Sequence, residues 1–352
     1  MPALYNKYDK ETLLKMFAQE PHHRITISFY KYANIGNPNV FRDHLYQMLS
    51  ELKVLGRIYV SSEGVNAQIN IPEENMYTLR QKLDEITFLE GCRLNVAIEQ
   101  NDLSFLKLKI KARSKIVADG LDDSTFDVTK RGKHVDAEEF NQLAEKDNTI
   151  IVDMRNHYES EVGHFKNAWC PDVDTFREEL DFVEETLKGN EGKNVLMYCT
   201  GGIRCEKASA YFKHKGFENV YQLNGGIIEY TRQVRTKKLE NKFIGKNFVF
   251  DERLGERISD DIIATCHQCG KPCDDHTNCK NVACNLLFIQ CEDCKTKNQN
   301  CCSDECKEIN ALPVDVQREM RKGKFVARKV FNKGRSEKLK FKPNNTKPSV
   351  DV

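Results

Sequence analysis

The stretch Val195-Leu196-Met197-Tyr198-Cys199-Thr200-Gly201-Gly202-Ile203-Arg204-Cys205 decides how this 352-residue chain is read. An apolar run of strand length ends at a cysteine. Two glycines make a tight loop, and Glu206 to Phe212 then reads as a helix. At a strand-to-helix turn, backbone N–H groups and the helix N-terminus converge, and both favour a thiolate. The cation Arg204 pushes the thiol the same way. The glycines let the backbone curl round the sulfur without Cβ clashes. The bland alternative is a buried cysteine closing a core strand. The coincidence of glycine pair, arginine and strand–loop–helix context favours a reactive Cys199.

Working outward, Thr149-Ile150-Ile151-Val152-Asp153 is a continuous apolar run ending in an acid, as in a strand buried on both faces of a parallel sheet. Phe176 to Leu187 reads as a helix, Val195 to Tyr198 as a strand, Glu206 to Lys215 as a helix and Val220 to Leu223 as a strand. This alternation predicts an α/β layer fold over residues 121–240. Asp153 and Cys199 fall at strand carboxyl ends, where such folds collect ligands.

Cys199 to Arg204 resembles the six-residue active-site loop of rhodanese domains, whose cysteine carries a persulfide. Asp153-Met154-Arg155, Gly163-His164-Phe165-Lys166-Asn167-Ala168 and Asn224-Gly225-Gly226 match further rhodanese motifs. The longer string Cys-Thr-Gly-Gly-Ile-Arg-Cys-Glu-Lys-Ala is similar to a narrower family, the rhodanese-type tRNA uridine hydroxylases. That resemblance implies oxidation of the wobble uridine, position 34, to 5-hydroxyuridine with molecular oxygen; the electron donor stays open. It implies Cys199 and Arg204 as catalytic residues within the loop Thr200, Gly201, Gly202 and Ile203. Asp153 and Arg155 read as bracing or substrate-orienting. Cys205 reads either as a resolving thiol for an oxidised Cys199 or as a small buried helix residue. His164 reads as a turn residue ahead of a general base, Trp169 as core, and Cys92 and Cys170 as structural.

Residues 1–120 carry a second pattern. Arg24 to Tyr30 alternates as a half-buried strand does. Asn39 to Leu55 has helical spacing, and Gly56–Ser61 and Val65–Ile71 form a hairpin about Ser62-Glu63-Gly64. Pro72 opens a helix reaching about Leu89, and Leu94–Ile98 and Leu106–Ile110 are short strands. The order βαββαβ predicts a ferredoxin-like domain, and the hydroxylase family has one, similar to acylphosphatases, in this position. It shows no obvious catalytic set. Ser61-Ser62-Glu63-Gly64-Val65-Asn66 resembles a family motif and reads equally as a hairpin turn. Lys107, Lys109, Lys111, Arg113 and Lys115 share one strand face, either as a solvated edge or as a phosphate-tracking stripe.

The net charge of +1 gives no global signal for nucleic acid. Met1 to Lys7 lacks the apolar core of a signal peptide, and no run has membrane-spanning length, so a cytoplasmic protein is expected. Ten of the fourteen cysteines fall between Cys266 and Cys306. In a reducing compartment that crowding points to metal ligands. Within residues 241–310, Cys266-x2-Cys269 and Cys291-x2-Cys294, with the wider pairs Cys279/Cys284 and Cys302/Cys306, supply eight thiolates for two structural zinc sites. The family resemblance leaves Cys273 and Cys301 as extras. His276 is a substitute ligand, the pairing is open, and redox switching is the alternative role. Residues 311–352 form a basic tail: Gln317 to Lys347 holds twelve Lys or Arg against two Glu. Pro343, Asn344, Asn345 and Pro348 read as disordered. Phe325, Phe331 and Phe341 among the bases suit RNA contact, or the tail is a solubility device.

The leading expectation is a tRNA-modifying hydroxylase centred on Cys199. The rivals are a sulfurtransferase cycling a Cys199 persulfide and a non-enzymatic RNA-binding zinc protein. A phosphatase is disfavoured: rhodanese-like phosphatases resemble this fold but use a loop one residue longer to fit phosphate, and here only four residues separate Cys199 from Arg204.

Overall fold

The computed structural model describes residues 8–19, 23–322 and 335–341. In chain order the first unit holds α1 (Lys10–Gln19), β1 (Arg24–Tyr32), α2 (Pro38–Glu51), β2 (Leu55–Ser61), β3 (Gly64–Pro72), α3 (Met76–Asp84), β4 (Asn95–Val96) and β5 (Leu108–Ala112). The strands form one sheet in the order β4-β1-β3-β2-β5, antiparallel except for the β2–β5 pair. The ferredoxin-like expectation holds, with α1 an addition. The predicted long helix after Pro72 is broken: Glu73–Asn75 and Thr87–Leu89 are 3-10 turns flanking α3. Asp84 ends α3 by accepting hydrogen bonds from the Gly91 N–H and from Arg80.

The strands alternate strictly. Ile27, Phe29, Ile58, Val60, Val65, Ala67 and Ile69 are buried in the core with Leu45 and Leu49 of α2 and Leu79 and Leu83 of α3. The opposite face is polar and partly exposed. Its side chains lie in two cross-strand rows, Ser28–Gln68–Arg57–Lys109 and Tyr30–Asn66–Tyr59–Lys111, set by the register of β1, β3, β2 and β5. Residues opposite one another in a sheet point to the same side.

The second unit contains β6 (Lys133–Val135), α4 (Ala137–Ala144), β7 (Thr149–Asp153), α5 (His157–Ser160), β8 (Gly163–Phe165), α6 (Phe176–Leu187), β9 (Asn194–Tyr198), α7 (Ile203–His214), β10 (Asn219–Leu223) and α8 (Gly226–Lys237). The parallel sheet runs β6-β10-β9-β7. Apolar clusters cover both faces, one around Leu180, Val195 and Phe212 and one around Phe140, Leu196 and Tyr230. All five residues of β9 are buried, as expected for a central parallel strand.

Beyond it come β11 (Phe243–Asn247), β12 (Glu256–Arg257), β13 (His276–Asn278), β14 (Leu287–Ile289), α9 (Glu292–Asn298), α10 (Asp304–Ala311) and α11 (Val314–Arg321). β11 pairs with β8, so the cysteine-rich segment is stitched to the parallel domain. Part of the basic tail is ordered against that segment: Leu339 is buried beside Phe288, Cys279 and Cys302, and the Lys340 and Phe341 N–H groups bond His267 O. Phe341 lies against Gly270 as a packing residue. Phe325, Phe331 and the Pro343–Pro348 stretch lie outside the described residues, as does Met1–Lys7. Among the described residues no helix is long and apolar enough to cross a membrane.

Candidate active site

β9 delivers Cys199 to its carboxyl end, and the loop then turns into α7 through Gly202 at φ +98°. That left-handed conformation favours glycine. Gly226, at the start of α8, sits so close that a Cβ there would lie 2.4 Å from Cys199 O. The Ile227 and Ile228 N–H groups bond the carbonyls of Cys199 and Thr200 at 3.1 and 3.3 Å. The Asn224-Gly225-Gly226 motif is therefore part of the loop's support.

Cys199 Sγ accepts a hydrogen bond from the Gly202 N–H at 3.2 Å. Burial alone would push this thiol up, but the Cys205 thiol, the Arg204 charge and the Cys205 and Arg204 N–H groups outweigh it and bring Cys199 down to about 6. Burial and the neighbouring Cys199 push Cys205 the other way, well above an ordinary thiol. The two cysteines thus form a polarised pair, one thiolate and one thiol.

Arg204 is engaged elsewhere. Its guanidinium grips Glu159 of α5 bidentately at 2.7 and 2.8 Å, so it acts on Cys199 by position and charge and is not a free anion clamp. Glu159 had no signal in the sequence beyond lying in a polar stretch after β7. Nearby, Glu179 of α6 is fully buried, and neither of its carboxylate oxygens has a hydrogen-bond partner. Burial holds its carboxyl well above the usual range.

Asp153 and Arg155 lie beneath the loop, both wholly buried. Arg155 bonds both Asp153 oxygens at 2.8 and 2.6 Å and Gly163 O at 2.7 Å, while the Tyr198 hydroxyl donates to Asp153. They brace β7, β8 and β9 and do not line the cavity. The His164 ring bonds Phe165 O, away from Cys199, and Trp169 is core.

Cys199 opens into a cavity of about 820 Å³ whose other wall is the polar face of the first domain's sheet, including Tyr30, Tyr59, Asn66 and Gln68. Sequence reasoning left this domain without a role in the site. The alternation of polar residues in β1, β2 and β3 was visible, but not what that face turns toward. The two domains are tied at the residues following the loop. Tyr30 Oη donates to Glu206 at 3.1 Å and Tyr32 Oη to Ile203 O at 3.4 Å. Burial would raise the Glu206 carboxyl, but His134 and Arg131 hold it at about 2. Lys207, almost wholly buried, bridges Glu63 at 2.7 Å and Asp123 at 2.6 Å, with Asp119 at 3.5 Å. The Ser61–Asn66 motif is thus a hairpin turn that also presents Glu63 to the partner domain. Glu63, Asp119 and Asp123 are close enough to hold a cation, but Lys207 and Lys115 already fill that role.

The cysteine-rich segment gathers Cys266, Cys269, Cys291 and Cys294 into one quartet and Cys279, Cys284, Cys302 and Cys306 into another, the sulfurs of each within 4.8 Å of one another. The pairing is interleaved, first with third and second with fourth. Sulfur separations of 3.6 Å (Cys269–Cys291) and 3.7 Å (Cys284–Cys302 and Cys302–Cys306) match the edge of a ZnS4 tetrahedron, about 3.8 Å for Zn–S bonds of about 2.3 Å. The Cys291 and Cys302 N–H groups point at Cys266 and Cys279 sulfurs at 3.4 Å, as thiolates require. Cys273, Cys301 and His276 stand outside both quartets.

Comparisons with known proteins cover the same three units. Residues 24–116 match the UPF0176 acylphosphatase like domain, 136–233 the Rhodanese-like domain and 244–307 the Rhodanase C-terminal family. A solved rhodanese-like domain from Anabaena shares 20% identity at a TM-score of 0.26, covering 32% of this chain and 78% of its own, a likeness too slight to bear on the assignment. A protein of Leptospira interrogans named tRNA uridine(34) hydroxylase is 52% identical over 94% of this chain and 90% of its own. One of the same name from Photorhabdus laumondii is 53% identical over 95% of this chain and 96% of its own. At that identity over nearly the whole of both chains, the chain belongs to the tRNA uridine(34) hydroxylase family.

Proposed function

We propose that the protein hydroxylates uridine 34 of tRNA at C5, with Cys199 as the reacting thiolate and molecular oxygen as co-substrate. The observation that carries the reading is the end-to-end likeness to proteins named for this activity. The geometry supports it. A thiol held at about 6 is ionised at neutral pH, and it faces a cavity large enough for a nucleotide. Uracil C5 is a weak nucleophile. Addition of the Cys199 thiolate at C6 moves an electron pair toward C5 and O4; the enriched C5 then attacks O2 and, with one proton, becomes a hydroperoxide, whose outer oxygen passes to the Cys205 thiol as a sulfenic acid and leaves the hydroxyl on C5. Loss of the C5 proton and departure of Cys199 restore the ring.

The balance is uridine plus O2, two electrons and two protons, giving 5-hydroxyuridine and water. In this proposal the Cys199 thiolate, once it has left C6, condenses with the Cys205 sulfenic acid, releasing water and closing a disulfide that accounts for those electrons and protons; an external thiol reductant then reopens it. Arg204, locked to Glu159, holds the charge beside the sulfur. Asp153 and Arg155 keep the loop's foundation rigid.

Each quartet fits one structural zinc ion, held by four thiolates with no open position for catalysis. Bound there, the ions would hold together a segment whose own apolar core is small. A cytoplasmic protein working on tRNA is part of the same proposal.

The test is isotopic. tRNA incubated with the enzyme, a thiol reductant and heavy-oxygen gas should gain the heavy atom at C5 of uridine 34, and Cys199→Ser should abolish this. Label appearing instead as thiouridine from a sulfur donor, formed without oxygen, would replace hydroxylation by sulfur transfer.

A further inference from the structure

The first domain's sheet buries one face on its own helices and turns the other, polar face to the Cys199 cavity. Several side chains on that face have no work to do in the protein. The side chains of Arg57, Tyr59, Gln68 and Lys109 make no hydrogen bond or ion pair with the described residues, although all four project from regular strands. By contrast, Tyr30 is spent on Glu206 and Asn66 on Ile116 O. A sheet face of free aromatic, amide and cationic groups, one end against a reactive thiolate and the other at a lysine-bearing edge strand, is an arrangement that binds single-stranded nucleic acid. Aromatic rings stack on bases, amides meet base edges, and cations follow the phosphates.

The rows give the surface a direction. One starts at Tyr30, whose hydroxyl lies 2.8 Å from where a Gly202 Cβ would be, passes Asn66 and Tyr59 and ends at Lys111 on β5. At about 4.8 Å per strand, Lys111 stands roughly 14 Å from Tyr30 across the sheet. The parallel row sets Gln68 and Arg57 before Lys109. The cavity, at about 820 Å³, lies in the upper part of the roughly 300–1,000 Å³ range of small-ligand sites and has room beyond a single uracil ring. The lysine row noticed in the sequence divides accordingly. Lys109 and Lys111 continue this face, whereas Lys115 turns inward to Asp119 and Asp123.

We infer that this face is the RNA-binding platform of the enzyme: with the target uridine at Cys199, a neighbouring base of the anticodon loop stacks on Tyr59, and Arg57, Lys109 and Lys111 take the flanking phosphates. The inference rests on the proposed tRNA substrate and adds the surface that presents it.

The test uses the full-length chain carrying Cys199→Ser and a fluorescent anticodon stem-loop RNA with uridine at position 34, read by anisotropy over a salt series. Tyr59→Ala should raise Kd about tenfold, within the usual worth of one stacked base, and Tyr59→Phe should restore it. Lys109→Ala with Lys111→Ala should flatten the slope of log K against log salt by about 1.4, or 0.7 per single-strand phosphate contact. Tyr77→Ala, an exposed tyrosine on the helical side, should change nothing. Zinc content and Cys199 alkylation, measured on the same substitutions in the Cys199 background, verify folding. If Tyr59→Ala and the lysine pair bind with parental affinity and slope while the parent enzyme hydroxylates tRNA, the platform is wrong and the function stands. If the parent binds RNA through Tyr59 yet makes no 5-hydroxyuridine, the function is wrong and the platform stands.

Discussion

Removing the Cys205 thiol tests the central claim about Cys199 without touching the reacting sulfur. Among the influences that lower Cys199 to about 6, the Cys205 thiol comes first, ahead of the Arg204 charge. Hydrogen bonds to charged groups contribute about 1.5–3 kcal/mol, and a thiol is a weak donor. Losing this one should therefore raise Cys199 by about one pKa unit, equivalent to about 1.4 kcal/mol. At pH 6 the parent sulfur is about half ionised. In Cys205→Ala roughly a tenth would be, so alkylation at pH 6 should slow about fivefold, while at pH 9 the two proteins should react alike. The chain has fourteen cysteines, so the rate must be read on the Cys199 peptide by mass spectrometry after brief iodoacetamide exposure across a pH series. Arg204→Met should move the midpoint in the same direction. A midpoint unmoved in both variants would refute the account of how this thiol is activated. A midpoint moved only by Arg204→Met would leave Cys205 as packing.

Other consequences can be measured directly. Lys207→Met strips the shared cation from Glu63, Asp119 and Asp123, and breaking a buried pair this way costs about 3 kcal/mol; the apparent Tm should fall by several degrees, and an unchanged Tm would show that the cluster is not coupled to folding. Glu179 has a raised pKa in the fold, so its contribution to stability is present below the unfolded value near 4.5 and is lost as pH rises through the folded one. Glu179→Gln should accordingly be more stable than the parent at pH 8 and equal to it at pH 4, and the opposite order in denaturant midpoints would mean an ionised, partnered Glu179. Protein purified without added metal should carry two zinc ions per chain by elemental analysis, and chelation should expose the cysteines of residues 266–306 to alkylation before Cys92 of the first domain and Cys170 of the parallel domain; early loss of Cys92 or Cys170 protection would contradict a metal-held local unit.

What the sequence disclosed follows from range. The loop from Cys199 to Arg204, the strand before it and the helix after it are local, and glycine spacing with an apolar run identifies them. The two Cys-x2-Cys knuckles were legible for a similar reason, since their spacing is local, and the family resemblance set Cys273 and Cys301 aside; which pairs share a site stayed open, because it depends on the β13–β14 hairpin bringing distant pairs together. Glu159 and Glu179 were hidden, because a carboxylate on a helix looks the same whether solvated or buried against an arginine forty-five residues away in sequence. The first domain's part in the site was hidden for the strongest reason. Polar alternation on a strand means only that one face lacks a core, and water or another domain can lie on it equally well.

The residues directly after the loop explain why that second domain matters. A rhodanese loop by itself needs only its N–H groups and its arginine to hold a thiolate. Here the first turn of α7 continues with Glu206 and Lys207, and both side chains are committed to holding the first domain: Glu206 takes Tyr30 and Lys207 takes Glu63. The same helical turn thus closes the loop around the sulfur and fixes the wall opposite it. A free-standing sulfur carrier gains nothing from such a wall, since its persulfide must meet small acceptors and partner proteins in the open. A reaction that must place one base of a polynucleotide over a thiolate, keep competing nucleophiles away and hold the neighbouring nucleotides in register gains a great deal from it. The position of Glu206 and Lys207 immediately behind the loop therefore supports the proposal that Cys199 works on a large substrate held between two domains.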